Sequence, residues 1–312
     1  MEYRKMGNSG LKVSVVGLGG NNFGGRANEQ ASINVIAQAL DMGINFIDTA
    51  ASYTEGHSEE LVGKAVKGKR SQVVIATKFG NPRSVGPSEL PGSRRHIMAA
   101  VESSLRRLGT DYIDLYYLHY PDSETPIEET LRTLDNLVKS GKVRYIACCN
   151  FAGWQLSEAV WTSRSGNLES FIAVQSRYNL LDRSIEKELV PACLTHGVGI
   201  IPWGPLASGF LTGKYQQGKQ APVGARLASS TPMSIYSDVM TEANFEKLRK
   251  LVSFSREREH KIGELAVSWL LSHPWLGSVI AGAMNGEQLT ENIAAANWKL
   301  TAEDIRELDK II

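Results

Sequence analysis

The 312-residue chain predicts an α/β fold of the (β/α)₈ barrel (TIM barrel) kind, with an N-terminal β-hairpin, a long loop plus helix after strand seven, and a C-terminal helix. Three observations carry that expectation. Short runs rich in Val and Ile recur along the chain, apolar on both faces as buried parallel strands must be. Stretches of helical spacing separate them. Eight such units in series over roughly 250 residues match a barrel, whereas a doubly wound sheet normally needs fewer.

Taken in order, residues 3–15 read as a hairpin turning at Gly7-Asn8-Ser9-Gly10, and Val15-Val16-Gly17-Leu18 is the first core strand. A helix over 29–42 stops at Gly43, which suits a helix C-terminus because glycine accepts the left-handed conformation there. Strand 44–48 precedes helix 58–67, with Ser58 as its N-cap. Then follow strand 73–77, helix 94–107, strand 113–118, helix 126–139, strand 143–148, helix 153–163, strand 171–175, helix 184–195 and strand 198–202. Helix 262–272, strand 277–281 and helix 286–295 complete the series. Beyond the minimal barrel lie the insertion from Trp203 to about Thr241, helix 242–258, and helix 301–310 with Thr301 and Asp304 as a capping box. The insertion is rich in Gly, Ser, Gln and Pro and follows a strand end, so it reads as a lid or substrate loop. Residues 1–312 read as one domain.

Composition excludes several classes. With 42% apolar and 21% charged residues the chain reads as a soluble globular protein. A net charge of +1 without a block of like charges argues against nucleic acid or an anionic membrane as partner. Three cysteines make no disulfide framework, and Met1-Glu2-Tyr3-Arg4-Lys5 lacks an apolar signal core, so the expected compartment is the cytoplasm. No pair among the six histidines has ligand spacing, and the adjacent Cys148 and Cys149 are not a C-x₂-C site; no metal is expected. The segment 17–25 is Gly-rich without a following Lys-Ser/Thr, which excludes a P-loop and leaves close backbone approach to a ligand. No feature fixes the oligomeric state.

The chemistry concentrates at three strand ends. Asp48, Lys78 and His119 follow strands two, three and four, and barrel strands deliver their C-terminal ends to one mouth. Tyr53, five residues after Asp48, can fold back over them. A phenol with an ordinary pKa of about 10 is a poor acid at neutral pH, and a neighbouring ammonium should lower it. Asp48 would hold Lys78 charged, and His119 could donate to the same oxygen or relay a proton. The set suits protonation of a carbonyl oxygen, or deprotonation of an alcohol, while another group moves hydride.

At these residues the chain resembles the aldo-keto reductases, over essentially its whole length. Gly43 to Ala50 with Tyr53 and Gly56 is similar to the family's G-x-x-x-x-D-T-A-x-x-Y-x-x-G signature. Asp111-Tyr112-Ile113-Asp114 leading to His119, Gly141 to Ile146 ending at Asn150-Phe151, and Pro202 to Lys214 resemble further family motifs. The resemblance implies NAD(P)-dependent oxidoreduction of a small aldehyde, ketone or sugar, with Asp48, Tyr53, Lys78 and His119 as catalytic tetrad. It implies a cofactor site of Gly20, Asn21, Asp48, Asn150, Gln175, Trp203, Gly204, Pro205, Leu206, Ser208, Lys214, Gly282, Gln288 and Asn292. In that site Asn150 and Gln175 would hold the nicotinamide amide and Trp203 would stack on the ring. The loop from Gly204 to Ser208, with Lys214, would meet the pyrophosphate, and Gly282, Gln288 and Asn292 the adenosine end.

Two departures matter. Cys149 stands where the family usually has Ser, and Met284-Asn285 stand where relatives often carry a cation facing the 2′-phosphate. NADP(H) remains the expected cofactor, with NAD(H) used appreciably. A sugar or alcohol dehydrogenase running oxidatively, or a channel-β-subunit-like regulatory protein, are the alternatives that the resemblance carries. The pocket wall is expected from Asn21, Phe23, Phe79, Tyr120, Trp203 and the 215–240 loop.

Overall fold

The computed structural model describes residues 1–86, 88–222, 225–228 and 239–312. Strands β1 (Tyr3–Lys5) and β2 (Lys12–Ser14) form an antiparallel hairpin. The closed parallel barrel is made of β3 (Val16–Gly19), β4 (Phe46–Asp48), β5 (Val74–Phe79), β6 (Ile113–Leu118), β7 (Val143–Cys149), β8 (Ala173–Arg177), β9 (Gly199–Trp203) and β10 (Val279–Gly282). Sequence order is followed round the ring and β10 closes against β3, seven crossovers joining the eight strands.

The helices are α1 (Glu29–Asp41), α2 (His57–Ala65), α3 (Arg94–Leu108), α4 (Ile127–Lys139) and α5 (Gly153–Ser165), then α6 (Leu189–His196), α7 (Glu242–Glu257), α8 (Ile262–Leu271), α9 (Gly286–Ala294) and α10 (Ala302–Leu308). Local chemistry sets their ends. Asn28 and Ser93 cap α1 and α3 by accepting from the amides of Ala31 and His96. Thr301 and Asp304 form the reciprocal box expected at α10.

Two expectations are corrected. Ser58 is not the N-cap of α2: it lies inside the helix, and its Oγ donates to the Gly20 carbonyl at 2.9 Å while pairing with Thr49 Oγ1 at 2.8 Å. The helix over 184–195 is split at Glu188 into a 3₁₀ turn, Ser184–Lys187, and α6. Pro191 gives the physical reason, since its ring would clash with the carbonyl of Lys187 in a continuous helix. Within the expected lid, short turns run over Ala207–Thr212 and Arg226–Ala228, and residues 223–224 and 229–238 lie outside the described residues.

Strand alternation sorts the core into two layers. Inside the barrel lie Phe46, Ala76, Leu115, Tyr117, Ala147, Ala173, Ile201 and Ile280, with Met6, Leu11 and Val13 of the hairpin region packed onto them. Between strands and helices lie Ile47, Ile75, Tyr116, Leu118, Ile146, Cys148, Val174 and Ile200. Counting two residues on from the inward set reaches Asp48, Lys78, His119, Cys149, Gln175 and Trp203. The period of two therefore stacks the polar residues one layer above the apolar plug.

Candidate active site

β5 runs on to Phe79, so Lys78 is an inward-facing residue of the strand with only 1% of its surface exposed. A bare ammonium cannot stay charged there, and three acceptors meet it. Lys78 Nζ donates to Asp48 Oδ1 at 2.5 Å, to the Thr49 carbonyl at 2.8 Å and to Tyr53 Oη at 3.3 Å. The second Asp48 oxygen accepts from Gln175 Nε2 at 2.8 Å. Burial works against the lysine's charge, but Asp48, then Tyr53, more than offset it and hold its pKa above the ordinary value.

Tyr53 behaves differently from the expectation. Burial raises its pKa to about 12, and the Lys78 charge that pulls the other way is partly cancelled by Asp48. The phenol is therefore held as a protonated donor, because the cation beside it belongs to a nearly neutral pair.

His119 follows β6 and is nearly buried, with its ring 6.1 Å from that of Tyr53 and stacked on Tyr120 at 4.9 Å. Burial, then Lys78, lowers its pKa to about 3. The imidazole is neutral near pH 7, which leaves it the role of hydrogen-bond donor and removes that of imidazolium relay. Its Nδ1 is buried without a partner.

The turn that carries Tyr53 is strained. Thr54 (φ 46°), Glu55 (φ 58°) and Gly56 (φ 93°) are successive left-handed residues between Tyr53 and α2. Two of them have side chains, at a cost of about 1–3 kcal/mol each. Thr54 Oγ1 donates to the Phe23 carbonyl at 2.9 Å, tying the turn to the β3–α1 loop.

The residues expected around a nucleotide fall on the same rim. Asn150, itself left-handed (φ 60°), donates to the His119 carbonyl at 3.0 Å and accepts from Trp203 Nε1 at 3.1 Å. Gln175 spends an amide N–H on Asp48, as above. The Gly20 amide bonds the Asp48 carbonyl at 2.7 Å, and Asn21 beside it is exposed. After β9, the Gly204 carbonyl accepts from Asn179, Pro205 is buried and Leu206 half-buried. At the other side, Gln288 and Asn292 of α9 reach back to the Met284 amide and the Gly282 carbonyl. Two pocket-wall expectations are corrected: Phe23, in the loop after β3, and Phe79 are both buried in the outer core, Phe79 against Tyr116 at 4.7 Å because strand alternation turns it away from the mouth. The part of the 215–240 wall that lies over 223–224 and 229–238 is outside the described residues.

A phosphate-bearing ligand fits the loop after β9. Ala207, Ser208 and Gly209 are consecutively left-handed, with the Ala207 and Gly209 N–H groups bonded back to the carbonyls of Gly204 at 3.0 Å and Leu206 at 2.8 Å. Ser208 Oγ is buried with no hydrogen-bond partner among the described residues. Lys214 Nζ lies close enough to fill the space of a Gly209 side chain, at 2.8 Å from an ideal Cβ. Desolvation, then Arg26 and Arg226, lowers the Lys214 pKa, which marks three converging cations. Arg226 also donates to Asn22 Oδ1 at 2.8 Å. The two arginines escaped the sequence reading, since lone loop arginines carry no spacing signal. Among the described residues no cluster of His, Cys, Asp or Glu could hold a metal ion, and no helix is long and apolar enough to cross a membrane.

The eight-stranded barrel thus carries a buried Asp–Lys–Tyr set at the C-terminal mouth of its strands. The aldo/keto reductase family model matches residues 15–312, and the chain belongs to that family. A versiconal hemiacetal acetate reductase of Aspergillus parasiticus is 34% identical, over 99% of this chain and 96% of that protein. An L-glyceraldehyde 3-phosphate reductase of Escherichia coli strain K12 is 33% identical, over 100% and 92%. A probable voltage-gated potassium channel subunit beta of Arabidopsis thaliana is 34% identical, over 95% and 92%. The chain is thus an aldo/keto reductase family oxidoreductase, in a family that generally uses NAD(P)H.

Proposed function

We propose that the protein reduces the carbonyl of a small aldehyde, ketone or sugar with NADP(H), Tyr53 acting as general acid. The observation that carries the reading is the three-way hydrogen bonding of Lys78, which makes Tyr53 Oη an acceptor and leaves its own proton to be given. When bound, a reduced nicotinamide supplies the hydride. Tyr53 gives its proton to the carbonyl oxygen, and the phenolate left behind sits beside the Lys78 ammonium, which offsets its charge. A neutral His119 donates a hydrogen bond to the same oxygen and orients it. In the oxidative direction the same groups act in reverse, Tyr53 taking the alcohol proton. Asn150, Gln175 and Trp203 would hold the nicotinamide end. Ser208, Lys214, Arg26 and Arg226 would meet the pyrophosphate, which NADP(H) and NAD(H) share, so this cluster strengthens binding of either nucleotide and Met284 and Asn285 leave the discrimination between them modest.

Initial rates over a panel of aldehydes, ketones and sugars, followed by nicotinamide absorbance, test the reading. Turnover with both NADPH and NADH is expected, with less than about a thousandfold between them, since Met284 and Asn285 offer no charge-assisted contact to a 2′-phosphate. A preference for NADPH above about a thousandfold would refute the phosphate assignment. The relatives named as channel β subunits give the competing reading, a regulatory partner of a membrane protein. Co-purification with such a protein, together with no turnover on any carbonyl, would favour it.

A further inference from the structure

Outside the barrel, on the far side of β5 from Lys78, a second carboxylate is fully buried. Glu59, in the first turn of α2, has 0% exposure. Its Oε1 accepts from Thr77 Oγ1 at 2.6 Å, and its Oε2 from Arg107 Nε at 2.6 Å. Thr77 immediately precedes Lys78, so alternation sends Lys78 inward to Asp48 and Tyr53 while Thr77 points outward to α2. Arg107, from the last turn of α3, lies under Gly56: a Cβ there would come within 2.7 Å of its Cδ and Nε. Gly56 closes the left-handed turn that begins at Tyr53.

These contacts form a ring. Lys78 joins Thr77 through the strand, and Thr77 joins Glu59 by a hydrogen bond. Glu59 leads back through α2 to Gly56 and Tyr53, and Tyr53 returns to Lys78. A turn with two strained side-chain-bearing residues relaxes unless its surroundings over-determine it. A buried ion pair adds little net stability, yet it fixes geometry where both partners are held by further bonds.

We propose that Glu59, with Arg107, is a positioning residue that sets the Tyr53–Lys78 geometry by locking the Tyr53 turn to β5. The inference rests on Tyr53 being the proton donor. Glu59 touches neither substrate nor nucleotide in this account.

Three variants test it: Glu59→Gln, Arg107→Lys, which keeps the cation but loses the planar fork, and Thr77→Val, which removes only the hydroxyl. Each is measured for kcat, KM and nucleotide Kd, the last by quenching of tryptophan fluorescence. Carbon-13 labelling of the tyrosine ring carbon that bears the hydroxyl adds a readout without turnover, the Tyr53 signal being assigned by its loss in Tyr53→Phe. Misplacement by 1 Å costs about 100-fold, so E59Q should lose at least ~10-fold in kcat. Nucleotide Kd should stay within about twofold, with the Tyr53 resonance shifted. R107K and T77V should each lose about threefold, a partial rescue relative to E59Q. Should E59Q not fold, R107K and T77V carry the test alone. A kcat within twofold of the parent in the folded variants, with an unmoved Tyr53 resonance, would overturn the proposal even if thermal stability falls. If Tyr53→Phe retains activity, the functional reading fails instead, and the resonance still decides whether Glu59 positions the ring.

Discussion

Two ion pairs flank β5, one on each face, and they differ in how they end. Asp48–Lys78 lies inside the barrel with side-chain exposures of 3% and 0%, and every lysine N–H is spent, the last on Tyr53. Glu59–Arg107 lies outside, and its carboxylate is as deeply buried while the guanidinium keeps 25% exposure. The inner pair opens onto a titratable oxygen at the mouth. The outer pair ends on backbone, at Gly56, and on solvent. Desolvation largely cancels the attraction within either pair, so stability alone does not account for them. On the function and the positioning role proposed above, the two have separate work: the inner one handles charge and the outer one position.

Breaking the inner pair should have the largest effect. Lys78→Met strands Asp48 with only Gln175 as partner, at a cost of about 3–5 kcal/mol in denaturant unfolding together with loss of turnover. Next comes pH. His119 has a folded pKa of about 3, against about 6.5 when unfolded, so its burial costs nothing above pH 6.5. As pH falls from 6.5 towards 3, the unfolded chain takes up a proton that the folded one refuses, and stability is lost. The loss should reach on the order of 3 kcal/mol at pH 4, and His119→Gln should remove most of it, as unfolding curves at pH 7 and pH 4 will show. The smallest effect is expected at Cys149, whose thiol is held protonated chiefly by burial. Cys149→Ser should leave the two pairs untouched and tighten nucleotide binding by about 2–10-fold, one hydroxyl hydrogen bond's worth, read by titration.

The barrel was legible because parallel strands buried on both faces leave continuous Val and Ile runs, and Gly43 marks a helix end by the left-handed backbone it adopts. That Asp48, Lys78 and His119 gather at one barrel mouth was legible from their strand ends, with Tyr53 placed by its position five residues after Asp48. Tyr53's pKa was not, since its direction depends on burial outweighing the Lys78 charge, which Asp48 partly cancels. Glu59 did leave a sign that went unread: it shares a helical face with Val62 and Val66, both buried, and a carboxylate on such a face requires a partner. Its partner Arg107 lies 48 residues away and carries no local signal. Ser58 misled for a related reason, as a hydroxyl near a helix start caps only if the backbone turns towards it, and Gly56 takes the chain elsewhere.

The central claim is that Tyr53 moves the proton while Asp48 and Lys78 hold it ready. Turnover of Tyr53→Phe, with nucleotide Kd measured on the same preparation, tests it most directly. The account predicts a fall in kcat of at least ~100-fold with Kd within about twofold of the parent, as removal of a general acid should give. Near-normal turnover in the variant would contradict it.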